Sequence, residues 1–194
     1  MKVKKIGKMA IFLMPIGIAV NVVGGQLAIL LKLPMYLDSI GTFVVAALCG
    51  GVPGIIVGLG TQLINSITMP TLLAYGIIGM AFGVIGAFLA RKKMFKSIPK
   101  VLISGIGVAL VSTTLAVPIT AFLYGGFVGT GASAIVATLM AAGWNVIPAT
   151  FVSELSSELI DKITCFIIIF VILKCLPKRL LVKLPQGQYF IDEK

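Results

Sequence analysis

Long apolar segments run through this chain, separated by short breaks rich in glycine, proline and lysine. A membrane-spanning helix needs about 20 predominantly apolar residues. The pattern predicts six transmembrane helices, at about residues 6–31, 39–49, 54–67, 71–90, 101–124 and 149–176. The second and third are short for full crossings and indicate a tight helical hairpin. Residues 125–148 form a connector, in which residues 132–142 are predicted to be a short helix.

The breaks between these segments have a physical cause in each case. Pro34 biases the preceding residue away from helix. The run from Gly50 to Gly54 contains Pro53 and is predicted to turn the chain sharply, as is the run from Gly143 to Pro148. Asp38 or Ser39 is expected to cap the second helix with a side-chain oxygen.

The distribution of charge predicts the orientation of the bundle. Three blocks at helix ends hold nearly all the basic residues: Lys2, Lys4, Lys5 and Lys8; Arg91, Lys92, Lys93, Lys96 and Lys100; and Lys174, Lys178, Arg179 and Lys183. Under the positive-inside rule all three blocks are cytoplasmic, and six crossings place both termini there. The net charge of +10 then reflects topology and contact with anionic membrane lipid rather than nucleic acid.

Composition supports the membrane assignment and excludes several kinds of chemistry. Hydrophobic residues make up 59% and charged residues 11%, against about 25% charged in soluble domains. The expected fold is an all-α integral membrane protein with one domain over residues 1–194. There is no histidine, which argues against His-based zinc proteases and catalytic triads. There is no P-loop motif for ATP, and three cysteines give no disulfide framework or metal site.

Four acidic residues lie in or beside apolar segments, where ionisable groups are costly unless they are paired or face water. They are Asp38, Glu154, Glu158 and Asp161. The last three share one face of the sixth helix, and Lys162 follows Glu158 at the spacing of an ion pair. Three interpretations stay open: a structural ion-pair cluster, the wall of an aqueous binding cavity, and a proton relay. Asp161 and Lys162, near mid-membrane, are predicted to form a structural pair.

The other polar and aromatic groups of the predicted outer half extend this candidate site. The full predicted substrate-binding set is Asp38, Gln62, Asn65, Tyr75, Trp144, Asn145, Glu154 and Glu158. Trp144 has two interpretations, an interfacial anchor or a stacking partner for an aromatic ligand. Small residues at four-residue spacing, such as Gly54 and Gly58, are typical of helices that approach closely.

The stretch from Leu33 to Ile67, LPMYLDSIGTFVVAALCGGVPGIIVGLGTQLINSI, resembles the substrate-binding S components of energy-coupling factor (ECF) vitamin transporters. The similarity lies in the acidic end of the first outer connector, the short helix after it and the Gly/Pro break. It implies capture of a vitamin or vitamin precursor from outside a prokaryotic plasma membrane. The implied partners are a transmembrane coupling subunit and two ATPases, so that ATP is bound only by partners and this chain needs no cofactor.

The resemblance also implies a docking surface on the first helix, where many S components carry an Ala-x-x-x-Ala motif. In this chain Ala10 is followed at that spacing by Met14, so the motif is incomplete. Ala10, Gly17 and Asn21 are the candidate docking residues.

Two other functions stay open on the sequence alone. A proton-coupled secondary transporter would use Glu158 or Asp161 as the proton carrier, although no inverted repeat is evident. A non-transporting sensor or assembly subunit would use the acids only structurally. The acids favour a neutral or cationic ligand, and Tyr75 and Trp144 favour a ring, such as hydroxymethylpyrimidine, thiamine or a pyridoxine relative. No metal site and no enzymatic activity are expected.

Overall fold

The computed structural model describes residues 7–191, which form helices and turns but no strand. The predicted start of the first helix at Ile6 and the basic residues Lys2, Lys4 and Lys5 lie outside this range. The helices are α1 (Lys8–Leu30), α2 (Ile40–Cys49), α3 (Gly51–Thr68), α4 (Gly76–Arg91), α5 (Ile98–Pro118), α6 (Ala132–Ala141), α7 (Val146–Cys175), α8 (Lys178–Leu181) and α9 (Gln188–Ile191). A 3₁₀ segment, Pro70–Tyr75, leads into α4, and a π turn, Ile119–Leu123, extends α5.

Among residues 7–191, four helical segments are long and apolar enough to cross a membrane, consistent with a multi-pass membrane protein. They are Lys8–Leu30, Gly51–Thr68, Pro70–Arg91 and Ile98–Leu123. Helix α7 has 30 residues, which corresponds to about 45 Å at 1.5 Å per residue. It differs from those four because Glu154, Glu158, Asp161 and Lys162 lie in its middle.

Three predicted helix starts were three residues late, and in each case a proline lies in the first turn. Helix α3 begins at Gly51, α5 at Ile98 and α7 at Val146, which places Pro53, Pro99 and Pro148 in their first turns. The first backbone N–H groups of a helix have no intrahelical acceptor, so proline is tolerated there. The turn between α2 and α3 is instead made at Gly50, whose φ of 104° lies in a region that glycine adopts without strain.

Asn21 joins the first three helices through a buried polar contact. Its Nδ2 donates to Thr42 Oγ1 at 2.8 Å and to Thr61 Oγ1 at 3.0 Å. Its Oδ1 accepts from the backbone N–H of Gly41 at 2.6 Å. The predicted cap of α2 by Asp38 or Ser39 is therefore wrong: neither makes a side-chain cap hydrogen bond, and Asn21 satisfies this first-turn N–H from the neighbouring helix.

The predicted docking residues on α1 face the interior of the bundle. Ala10, Gly17 and Asn21 are all buried, and Gly17 lies against Gly41 of α2. This corrects the docking prediction, because side chains without exposed surface cannot contact a partner on this face. The surface that α1 exposes is aliphatic and aromatic instead, with Phe12 69% and Leu30 77% exposed.

We expect the Asn21→Leu variant to lower the free energy of unfolding by about 1–3 kcal/mol, because the buried N–H of Gly41 loses its acceptor. Denaturant or thermal unfolding in detergent measures the loss. Thr114→Val is the control, since Thr114 is exposed and bonds only to Leu110 O of its own helix. Equal stability of the two variants would show that the Asn21 contact contributes little.

Helices α3 and α4 cross with glycine backbones in contact. A Cβ built on Gly58 collides with the carbonyl group of Gly79, and one built on Gly83 collides with the backbone at Gly54 and Ile55. The predicted close approach at Gly54 and Gly58 therefore occurs against α4 of the same chain, and these glycines pack within the bundle. This crossing fixes the position of α3, which carries Gln62, relative to α4.

The two ends of the bundle differ in chemistry. At one end, here called the connector end, the segment 31–38 meets the loop after α5, since Gly131 lies against the backbone of Leu33. At the opposite end, here called the basic end, the C-terminal segment folds back on α2: the N–H of Gln186 donates to Leu48 O at 2.9 Å. The segment predicted only as a basic tail is thus packed, with Leu181 and Phe190 buried.

Candidate functional site

A cavity opens near the connector end between α3, α4, α5, α7 and the segment 31–38. It encloses about 500 Å³ of space, part of which is open solvent. Five of the predicted binding residues line it: Asp38, Gln62, Tyr75, Glu154 and Glu158. Leu72, Ile78 and Phe82 supply apolar wall. Small-molecule sites are usually concave, largely apolar and fitted with a few placed polar groups, and this cavity has that character.

Glu154 receives hydrogen bonds on both carboxylate oxygens. Tyr36 Oη donates to Oε2 at 2.7 Å, and Thr120 Oγ1 donates to Oε1 at 2.7 Å. Tyr75 Oη and Thr120 Oγ1 are 2.6 Å apart. Because the Thr120 proton is directed at Glu154, Tyr75 is the donor in that contact. Two hydroxyl groups therefore donate to one carboxylate and a third, that of Tyr75, donates to Thr120, an arrangement that suits a charge held in a site of low polarity.

Burial raises the pKa of the Tyr36 phenol well above its usual value, and the neighbouring charges of Glu154 and Glu158 raise it further. The phenol therefore keeps its proton at neutral pH and serves as a hydrogen-bond donor. Tyr36 lies in the 31–38 connector, outside the helices, so this one bond ties the connector to α7.

Lys162 lies at the base of the cavity and pairs with two carboxylates. Its Nζ is 2.5 Å from Asp161 Oδ2 and 3.1 Å from Glu158 Oε2, and it is 3.4 Å from Ser39 Oγ. Glu158 Oε1 also accepts from Ser112 Oγ at 2.6 Å. The ammonium group further lies 4.6 Å from the centre of the Phe82 ring. A buried charge needs such pairing, and the side chain of Lys162 is only 1% exposed.

Asp161 binds two partners: it pairs with Lys162, and it also holds the backbone of the connector. Its Oδ1 accepts the backbone N–H groups of Tyr36 at 3.0 Å and Leu37 at 2.7 Å. Leu37 has a φ of 54°, an uncommon conformation for a branched residue, and these two bonds help to hold it. The predicted Asp161–Lys162 pair is present, and it also positions Tyr36 over the cavity.

Asp38 and Gln62 form a second polar pair in the wall. Gln62 Nε2 donates to Asp38 Oδ2 at 2.7 Å. Burial raises the pKa of the Asp38 carboxyl, while Lys162 and this hydrogen bond act in the opposite direction. The pair joins the end of the connector to α3.

The remaining predicted binding residues lie elsewhere. Asn65 lines a smaller adjacent cavity, which shares Tyr36, Asp38 and Leu72 with the first. Trp144 is 46% exposed and Asn145 precedes α7 as an exposed residue. Neither lines the cavity. The placement of Trp144 fits an interfacial anchor better than a stacking partner.

Besides the apolar wall, four polar residues of the described chain were missing from the predicted site: Tyr36, Ser112, Thr120 and Thr130. Tyr36 lies two residues before Asp38, within the stretch that carries the family resemblance. Ser112 and Thr120 are hydroxyl residues in an apolar helix, a weak signal because such side chains also bond to their own helix, as Thr114 does.

Within residues 7–191, no group of three or more metal-ligating side chains is placed to hold a metal ion. Comparison of the chain with protein-family models, curated proteins and solved structures finds no match. The site is therefore interpreted from its own residues.

Proposed function

We propose that this protein is the substrate-capturing subunit of an ATP-driven importer of the ECF type in a prokaryotic plasma membrane. It binds a small heteroaromatic vitamin or precursor, of the hydroxymethylpyrimidine, thiamine or pyridoxine kind. The observation that carries the proposal is the cavity at the connector end, where Asp38, Glu154 and Glu158 meet an apolar wall.

The proposed topology has six crossings with both termini in the cytoplasm. Lys8 begins α1, and Arg91 and Lys174 lie in the last turns of α4 and α7. The proposed topology has these helix ends together at the basic end. Helix α2, at 10 residues, is about 15 Å long, half of the roughly 30 Å hydrocarbon core. The half-buried end of the connector is expected to complete that crossing. The cavity then opens to the outside, where a captured substrate arrives.

The charges around the cavity support a cationic or neutral substrate. Asp38, Glu154 and Glu158 line it together with the single ammonium group of Lys162, which is already paired with Glu158 and Asp161. An anionic substrate would meet excess carboxylate, whereas a protonated ring nitrogen or an amine would be attracted.

The partners are proposed on the resemblance alone: a coupling subunit and two ATPases that supply the energy of transport. No P-loop is present in the sequence, so ATP hydrolysis would belong to the partners. With Ala10, Gly17 and Asn21 buried, a docking surface on α1 would use its exposed apolar face instead.

The test uses the purified full-length chain with thiamine, hydroxymethylpyrimidine and pyridoxine, followed by mass spectrometry of any co-purified molecule. We expect one of these compounds to bind, and Glu154→Gln to weaken that binding about tenfold to a hundredfold, as for loss of a hydrogen bond to a charged group. Thr114→Val serves as the control, since its side chain lies on an exposed face of α5.

Uptake into proteoliposomes separates this proposal from the alternatives. We expect uptake only when coupling and ATPase subunits are present. Uptake by the chain alone, driven by a proton gradient, would overturn the importer proposal in favour of a secondary transporter. Absence of binding to all three compounds and of any co-purified molecule would favour a structural or sensing subunit.

A further inference from the structure

Gln62 is a buried residue in the cavity wall whose amide makes one of the four hydrogen bonds available to it. Gln62 is 93% buried, since 7% of the residue is exposed. Its Nε2 donates to Asp38 Oδ2 at 2.7 Å. The ionised form of Asp38, which Lys162 and this hydrogen bond favour, only accepts hydrogen bonds, so the amide nitrogen faces Asp38. This fixes the amide orientation and directs the acceptor, Oε1, away from Asp38.

Gln62 Oε1 accepts no hydrogen bond from any described residue. A buried acceptor left unpaired costs about 1–3 kcal/mol, and native structures contain few such groups. Gln62 lines the cavity, and its Oε1 is fully covered, so a molecule in the cavity supplies the missing donor after a small rotation of the Gln62 side chain.

The phenolic and ammonium donors around the cavity are already committed. Tyr36 donates to Glu154, and Tyr75 donates to Thr120, which itself donates to Glu154. The three N–H bonds of Lys162 face Asp161, Glu158 and Ser39. What the wall still offers is mainly acceptors: Gln62 Oε1 and the carboxylate of Asp38, whose hydrogen bond from Gln62 uses only Oδ2. The donors left over are the second Nε2 hydrogen of Gln62 and the hydroxyl group of Thr130.

We propose that the cavity recognises a planar cation through two adjacent N–H donors, an amidine-type edge that bonds to Gln62 Oε1 and the Asp38 carboxylate. An aminopyrimidine or aminopyridine ring carries such an edge when its ring nitrogen is protonated. The flat remainder of the ligand lies against Leu72, Ile78 and Phe82, which line the same cavity. The inference rests on the proposed function, because it names the chemical class of the captured substrate.

The probes are benzamidine, benzylamine and benzoate. Each consists of a benzene ring with one substituent, and only the substituent differs. Benzamidine is a cation with a paired N–H edge, benzylamine a cation without that planar edge, and benzoate an anion. Binding to the purified full-length chain is measured by isothermal titration or ligand-observed NMR. We expect benzamidine to bind at least tenfold more tightly than benzylamine, and benzoate to bind more weakly than either.

The Gln62→Leu variant is expected to reduce the preference for benzamidine over benzylamine to about twofold or less. Gln26→Leu is the matched control, because Gln26 bonds to Asn65 and Thr68 and does not line this cavity. We expect it to keep the full preference. Gln62→Met, which retains the length of the side chain, replaces Gln62→Leu if that variant does not fold, and carries the same expectation.

Three results would overturn the inference: equal binding of benzamidine and benzylamine, tighter binding of benzoate, or a preference that survives the loss of the Gln62 amide. Binding of none of the probes would do so as well. These experiments need no ATPase subunit, so their failure is distinct from that of the importer proposal. If the protein prefers benzamidine to benzylamine but shows no ATP-dependent uptake, the inference stands and only the importer proposal is overturned.

Discussion

Replacement of Lys162 by methionine is expected to lower the free energy of unfolding by about 3–5 kcal/mol, the typical cost of removing one partner from a buried ion pair. Lys162 is 1% exposed, and its Nζ faces the carboxylates of Asp161 and Glu158. Methionine fills a similar volume, so the loss arises from charge rather than from a cavity. Unfolding in detergent, followed by circular dichroism or a thermal melt, measures it.

Lys174→Met on the same helix is the matched control. Lys174 is exposed near the end of α7, and its ammonium group contacts the ring of Phe170 at 4.6 Å. We expect this change to fall within about 0.5 kcal/mol of the natural protein, as surface substitutions usually do. If the two variants were equally stable, the ion pairs of Lys162 with Asp161 and Glu158 would contribute little to the stability of the fold.

Replacement of Gly58 by leucine is expected to cost about 3 kcal/mol or more, at the upper end of overpacking effects. The Cβ alone collides with the carbonyl group of Gly79, and a backbone group cannot move aside as a flexible side chain does. Helices α3 and α4 must separate, which moves Gln62 away from the wall that α4 contributes. We expect loss of thermal stability together with loss of ligand binding.

Gly107→Leu tests whether this effect comes from the contact rather than from the substitution itself. Gly107 lies within α5, and a Cβ there meets no atom within 4 Å. Removing a glycine from a helix interior stabilises it by about 0.5–1 kcal/mol, so this variant should be at least as stable as the natural protein. Similar losses at both positions would contradict the close crossing of α3 and α4.

The candidate site depends on both the ion cluster at Lys162 and the glycine crossing of α3 and α4. The ion cluster at Lys162 fixes Asp161, whose Oδ1 holds the connector through the backbone of Tyr36 and Leu37. The glycine crossing fixes α3, and with it the Asp38–Gln62 pair. Stability and ligand recognition are therefore expected to fail together at these two points, but to separate at Gln62, where substitution changes the ligand preference.

The local elements followed closely from the sequence. Apolar length and the glycine and proline breaks predicted the main helices, including the short α2 and α6, because these properties act within a few neighbouring residues. The errors at Gly51 and Val146 came from treating Pro53 and Pro148 as breakers, although proline is accepted in a first helical turn. The capping prediction failed because a side chain distant in sequence, that of Asn21, accepts the hydrogen bond from the N–H of Gly41 in the first turn of α2.

The sequence by itself determined that this chain is helical, strongly apolar and marked by a few acids where acids are costly. It also placed Glu154, Glu158 and Asp161 on one helix face, since that relation depends only on spacing. The tertiary structure decided which groups share the cavity: it brought Tyr36 and Thr120 to Glu154, left Trp144 outside and turned Asn21 inward. Such pairings join residues 20 to 125 positions apart, so they depend on how the helices pack, which local spacing does not specify.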